Sequence, residues 1–148
     1  MSDNELIVSK EYGLGSFSKA ALKIRQAVFV EEQGIALDIE LDDYDNTTTH
    51  YVGFTAEKPV TTARVLTNPT DNSWHIQRVA TLSEARGHGY AAKLMRTIII
   101  DAKEAGVHKI DLGAQVPSLG FYERIGFNVI GEPFVEAGID HVQMELVI

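Results

Sequence analysis

The segment RGHGYA, residues 86–91, opens the clearest helical pattern of the chain. Small or apolar residues recur at Ala91, Leu94, Met95, Ile98, Ala102 and Ala105, Lys93, Arg96 and Lys103 fall off that face, and Gly106 supplies the stop. A β-rich run at residues 74–80 precedes the turn, and another at residues 109–114 follows the helix. Two strands joined through one helix run parallel when they are neighbours in a sheet. This strand, turn, helix and strand restrict the chain to an α/β fold with a parallel pair.

The remaining patterns are shorter. Residues 6–8 read as a strand, Ser18 as the N-cap of a helix through Phe29 or beyond, and Gly34 as its stop. Next come Glu31, Glu32, Asp38, Glu40, Asp42, Asp43 and Asp45 without a Lys or Arg among them. That stretch reads as a loop or loosely helical segment, and its field would favour a cationic partner. Residues 50–56, 60–66 and 74–80 form an antiparallel meander, divided by Lys58-Pro59 and by NPTDNS at residues 68–73. Residues 118–125 make a short helix ending at Gly126; residues 127–131 and 142–147 pair as a closing hairpin across a loop with Pro133 and Gly138. The expected architecture is α/β, with a mixed, mostly antiparallel sheet flanked by helices.

A chain of 148 residues without repeats or linkers is read as one domain, residues 1–148. No apolar run is long enough for a bilayer and the first residues carry acids, so neither a membrane nor a secretion signal is expected, and the expected location is cytoplasmic. The absence of cysteine excludes disulfides and any thiol nucleophile. His50, His75, His88, His108 and His141 lack metal-ligand spacing. Asp43, Asp45 and Thr47 resemble the start of a calcium loop, but Thr48 stands where glycine is needed and Phe54 where the closing glutamate belongs. No metal is expected. A net charge of −8 argues against a nucleic-acid partner, so any anionic ligand needs a local site.

The glycine-rich turn is suited to be one. N–H groups in the first turn of a helix lack partners, the helix dipole favours negative charge there, glycines permit close approach, and Arg86 adds a positive charge. An ordinary turn before a helix would look the same. Gly87, Gly89 and Ala92 also fit G-x-G-x-x-A, the dinucleotide fingerprint of an NAD-binding protein. Against that stand the residues 81–86 inserted between strand and glycines, the mid-strand position of Asp111, and antiparallel preceding strands.

Together with its surroundings the turn resembles the signature Q/R-x-x-G-x-G/A of the GCN5-related N-acetyltransferase (GNAT) superfamily, with Arg86, Gly87, His88, Gly89, Tyr90 and Ala91 in place. HIQRVAT at residues 75–81 and FYERIGF at residues 121–127 resemble its other patterns in the right order. IRQAVFVEEQGI at residues 24–35, Asp43, Asp45, His50 and EAGIDHVQME at residues 136–145 resemble the ElaA-like branch. The resemblance implies that residues 74–80 and 109–114 are splayed parallel strands holding the pantetheine of acetyl-CoA. It implies that main-chain groups of Val79, Ala80 and Thr81 bond that arm, and that N–H groups from Gly87 to Ala91 take the pyrophosphate. Gln77 and Arg78 are candidate walls, and Lys93 and Arg96 candidate phosphate contacts that also suit a solvated helix face. Gln115 stands where the family often has asparagine; it can still reach the cosubstrate or simply satisfy local backbone.

By family position Tyr122 is the general acid that protonates the leaving thiolate. Its alternative role is to anchor a short helix by packing. A backbone N–H near Val79 is the natural oxyanion donor. Transfer to a small amine acceptor would be direct. Glu31, Glu32, His50, His75 and His141 are all chemically able to act as base, and the sequence does not choose among them. A non-catalytic acyl-CoA sensor is the alternative of a different class, and a homodimer is compatible with either.

Overall fold

A computed structural model describes residues 5–148. One seven-stranded sheet has the order β1-β2-β3-β4-β5-β7-β6. Its strands are β1 (Ile7–Tyr12), β2 (Thr49–Thr55), β3 (Lys58–Asn68), β4 (Ser73–Thr81), β5 (Lys109–Gln115), β6 (Asn128–Glu136) and β7 (Ile139–Val147). Every neighbouring pair is antiparallel except β4 with β5, so the mixed sheet and its parallel centre are as expected.

The helices are α1 (Ser16–Arg25), α2 (Leu37–Glu40), α3 (Tyr90–Glu104) and α4 (Leu119–Ile125). The apolar stripe of α3, Leu94, Met95, Ile98 and Ala102, packs on Tyr51, Ala63, Val65, Ile76, Ile110 and Leu112. Ala21 and Ile24 of α1 cover the opposite face at Val52 and Ala80. Each large side chain buried in this way contributes about 1.5–3 kcal/mol. Among the described residues no helix is long and apolar enough to cross a membrane.

Three expectations need correction. Gly15, not Ser18, caps α1; Ser18 lies inside the first turn with its Oγ accepting the Gly15 N–H at 2.7 Å, and Glu11 accepts the Phe17 N–H at 3.0 Å. Beyond Arg25 the helix runs past Phe29 to a stop near Gly34, as expected, but its turns over Gln26–Glu32 are π-helical, which a 3.6-residue pattern does not reveal. The β6–β7 strands run on to Ala137-Gly138, a tight turn with φ of 52° and 74°, while Pro133 falls in the irregular register between Ile130 and Phe134.

The acidic stretch is loosely helical, with the short α2 followed by turns, but three of its acids are paired with arginines. Arg25 donates to Glu40 and Asp45, each at 2.7 Å. Arg64 donates to Asp42 at 2.8 and 2.9 Å and to Asp45 at 3.0 Å, and Arg78 reaches Asp42 at 3.2 Å. Arg25 and Arg64 are each only 1% exposed, so their charges require these partners. Three guanidiniums thereby answer three carboxylates.

Candidate active site

The site begins with one irregular residue. Thr62 pairs with Ala80 and Arg64 with Gln77, leaving Arg78 and Val79 opposite Ala63 alone. Arg78 takes a φ of 56°, a region that side-chain-bearing residues seldom occupy. The extra residue reverses the facing of the strand: Ile76 packs toward α3, whereas Ala80 packs toward α1. β4 and β5 pair only from Ser73 with Lys109 to Ile76 with Leu112. Beyond Ile76 and Leu112, just ahead of the bulge, their pairing ends, as expected for splayed strands.

The gap opens into a cavity of about 840 Å³ lined by Val79, Ala80, Thr81, Arg86, Ala91, Gln115 and Tyr122 among others. Gly87, His88 and Gly89 form an exposed lip beside it. Both glycines have left-handed φ, 85° and 78°, and a Cβ built on either would meet no protein atom within 4 Å. Open space therefore lies where a ligand would approach. No side chain caps α3, and the Lys93 N–H bonds back to the Gly89 carbonyl at 3.1 Å. The N–H groups ahead of Lys93 are those a helix leaves without intrahelical partners. Tyr90 offers only its backbone, because its ring is buried with Leu6, Val60 and Ala85.

Arg86 is present at the mouth, but its charge is not free. It donates to both carboxylate oxygens of Glu32, at 2.6 and 2.7 Å, and to the Thr81 carbonyl at 3.0 Å. Hydrogen bonding from Arg86 holds the Glu32 carboxyl below the usual range. Gln115 likewise exchanges amide hydrogen bonds with Gln33, at 3.0 and 3.4 Å. The end of the π-helical segment is thus tied across the cavity at two points, contacts that strand and helix patterns could not anticipate.

Tyr122 is 6% exposed, its ring packed edge-on against Phe121 and Phe127 at 5.0 and 6.0 Å. The residue lines the cavity, and ring packing is the contact that holds it. Burial pushes the phenol above its ordinary value, so at neutral pH the group keeps its proton and stands in the cavity wall as a donor.

The other candidates separate by location. His50 is fully buried against the Asp45 carbonyl at 2.7 Å and lies outside the cavity lining. Lys93 donates to the Leu6 carbonyl at 2.7 Å, and Arg96 is exposed on α3. Gln77 and Arg78 do line the cavity, Gln77 accepting from Arg64 at 2.6 Å. His75, paired with Asp111, and His141 line it too. The sequence did not single out Phe134 or Gln143 on its wall; alternation of His141, Gln143 and Glu145 with buried Val142 and Met144 was the available signal. The NAD-binding alternative fails on geometry, because a 3₁₀ turn, Ser83–Ala85, separates β4 from the glycines and β4 has an antiparallel neighbour in β3.

Comparison with known proteins agrees with this architecture. The family model described as an acetyltransferase (GNAT) domain matches residues 17–148. The chain is 32% identical over 127 residues to the uncharacterized N-acetyltransferase YjcF of Bacillus subtilis, covering 85% of this chain and 89% of that protein. It is 33% identical over 144 residues to the protein ElaA of Escherichia coli, covering 95% and 90%. A crystal structure of a putative N-acetyltransferase from Lactobacillus plantarum superposes with a TM-score of 0.89 at 29% identity, over 96% of this chain and 97% of the other. The chain belongs to the acetyltransferase (GNAT) domain family.

Proposed function

We propose that this protein is an acyl-CoA-dependent N-acyltransferase that moves acetyl from acetyl-CoA directly to a primary amine, with Tyr122 as general acid. The observation that carries the reading is Tyr122, a buried residue that lines the cavity formed where β4 and β5 part beside the uncapped end of α3. The open edge of β4 at Val79, Ala80 and Thr81 supplies main-chain groups for an extended pantetheine arm, and a Val79-region N–H supports the oxyanion. The N–H groups from Gly87 to Ala91 would hold the pyrophosphate, whose charge competes with Glu32 for Arg86. Gln115 can join them on release from Gln33.

The acceptor is read as a small primary amine. Glu40, Asp42 and Asp45 are engaged by arginines and Glu32 by Arg86, so a cationic acceptor would have to be drawn by the exposed Glu31, Asp38 and Asp43. Residues 1–148 act as one domain in this reading, with no part for nucleic acid, membrane or metal. The test is thiol release from acetyl-CoA with a panel of primary amines, including polyamines, measured with a thiol reagent to which the cysteine-free chain contributes no background. Release above the uncatalysed rate with at least one amine is expected. Acetyl-CoA binding without release from any amine would instead make the protein a sensor module.

A further inference from the structure

Resting on the acyltransferase reading, we propose that His141 is the general base that deprotonates the acceptor ammonium. Its Nδ1 lies 2.7 Å from the carbonyl oxygen of Ile139, which can only accept, so Nδ1 carries the proton and the neutral ring has its lone pair on Nε2. The ring is 8% exposed and stacked on Phe134 at a centroid distance of 5.4 Å. The ring's hydrogen bond is made at Nδ1, leaving Nε2 without a partner among the described residues, and His141 lines the cavity. A single hydrogen bond and a single aromatic contact thus present an unengaged base to the candidate site.

Strand register places that base at the reacting level. Gln115 of β5 is opposite His141 of β7, while Ile76 of β4 is opposite Leu112 of β5. Carried past the one-residue bulge, the β4–β5 register brings Val79 and Ala80 level with Ala114 and Gln115. His141 is therefore level with the main-chain groups assigned to the thioester. Its neighbours Val142 and Met144 belong to the core beneath α3 and α4, the core that also holds Tyr122. Alternation along β7 directs His141 to the opposite face of the sheet. Acid and base thus stand on opposite faces of the sheet, with the gap between them.

The rivals are otherwise engaged or misplaced. Glu32 is bound to Arg86, Glu40 and Asp42 to guanidiniums, and Glu136 is exposed at the hairpin end. His75 pairs with Asp111, four residues before Gln115 on β5, about 13 Å back at strand rise. In the step assigned here, Nε2 takes one proton from R–NH₃⁺ and releases it to solvent, and the freed lone pair forms the C–N bond as the carbonyl pair moves to oxygen. When the C–S bond breaks, its pair leaves on sulfur, which takes the Tyr122 proton. The second proton lost by nitrogen restores the phenol. The sum is ammonium plus thioester giving amide, thiol and H⁺.

The test compares His141→Asn with wild type, using n-butylamine and O-propylhydroxylamine, acceptors of equal length. At about neutral pH the first is an ammonium and the second is already neutral, so only the first needs the base. The asparagine Nδ2 can keep the bond to the Ile139 carbonyl, and an acetyl-CoA-induced rise in the unfolding midpoint confirms an intact site. Expected is a loss of about a hundredfold or more in turnover of n-butylamine, with O-propylhydroxylamine changed by less than about threefold. Equal losses with both acceptors, or none with either, in a variant that still binds acetyl-CoA would overturn the assignment. If the substituted protein does not fold, His141→Gln replaces it under the same criteria. Wild type that binds acetyl-CoA yet releases thiol with no amine overturns the acyltransfer reading itself, and the base falls with it.

Discussion

Tyr122 is held by ring packing alone, and this makes its hydroxyl separable from its fold. Tyr122→Phe keeps the contacts with Phe121 and Phe127 and removes only a hydroxyl that faces the cavity. Its unfolding midpoint should therefore match that of wild type, while amine-dependent thiol release falls about a hundredfold. Unchanged release in the variant would return Tyr122 to a packing role. The side chain at this position was legible in the sequence because FYERIGF marks it. The closed state of Arg86 was not, because its partner Glu32 lies 54 positions away and ion pairs of that separation leave no periodic trace.

At the scale of elements, the turn between β4 and α3 combines backbone shape with ligand access. Gly89 has a φ of 78° and open space where a Cβ would stand. Gly89→Ala should therefore act through conformation and the ligand: a destabilisation of roughly 1 kcal/mol by urea unfolding, accompanied by weaker acetyl-CoA binding. A variant binding acetyl-CoA as tightly as wild type would remove the turn from the site. The helix α3, the meander and the parallel pair could be read from apolar spacing. The bulge at Arg78 could not, because its sequence HIQRVAT also fits an unbroken strand, and only pairing with β3 shows two residues opposite one. The π-helical segment escaped for a related reason: its periodicity departs from the pattern used to find helices.

Across the whole molecule, Glu40, Asp42 and Asp45 of the acidic run join three distant arginines in one network, which composition displays as an excess of acids without showing its partners. Burial alone would raise the carboxyls of Asp42 and Asp45, but the hydrogen bonds and charge of Arg64 and Arg25 outweigh it, holding both below the usual range. Because their folded-state values are lowered, the stabilisation is present above the ordinary carboxylate range and is lost as pH falls through the lowered values. The unfolding midpoint should fall on acidification from about pH 5 to about pH 3. Asp45→Asn, less stable at neutral pH, should show a shallower fall over that window. Parallel profiles would mean that this carboxylate does not couple to folding.

The claim that joins all three scales is the cradle for acetyl-CoA, and thermal unfolding with acetyl-CoA, CoA, NADH or no ligand tests it without knowledge of the acceptor. At about 100 times the dissociation constant, a ligand of the folded state adds about 2.7 kcal/mol to stability. The expected result is a raised midpoint with acetyl-CoA and with CoA, and none with NADH. No rise with either thioester or thiol, or a rise with NADH alone, would contradict the reading of the cavity between β4 and β5.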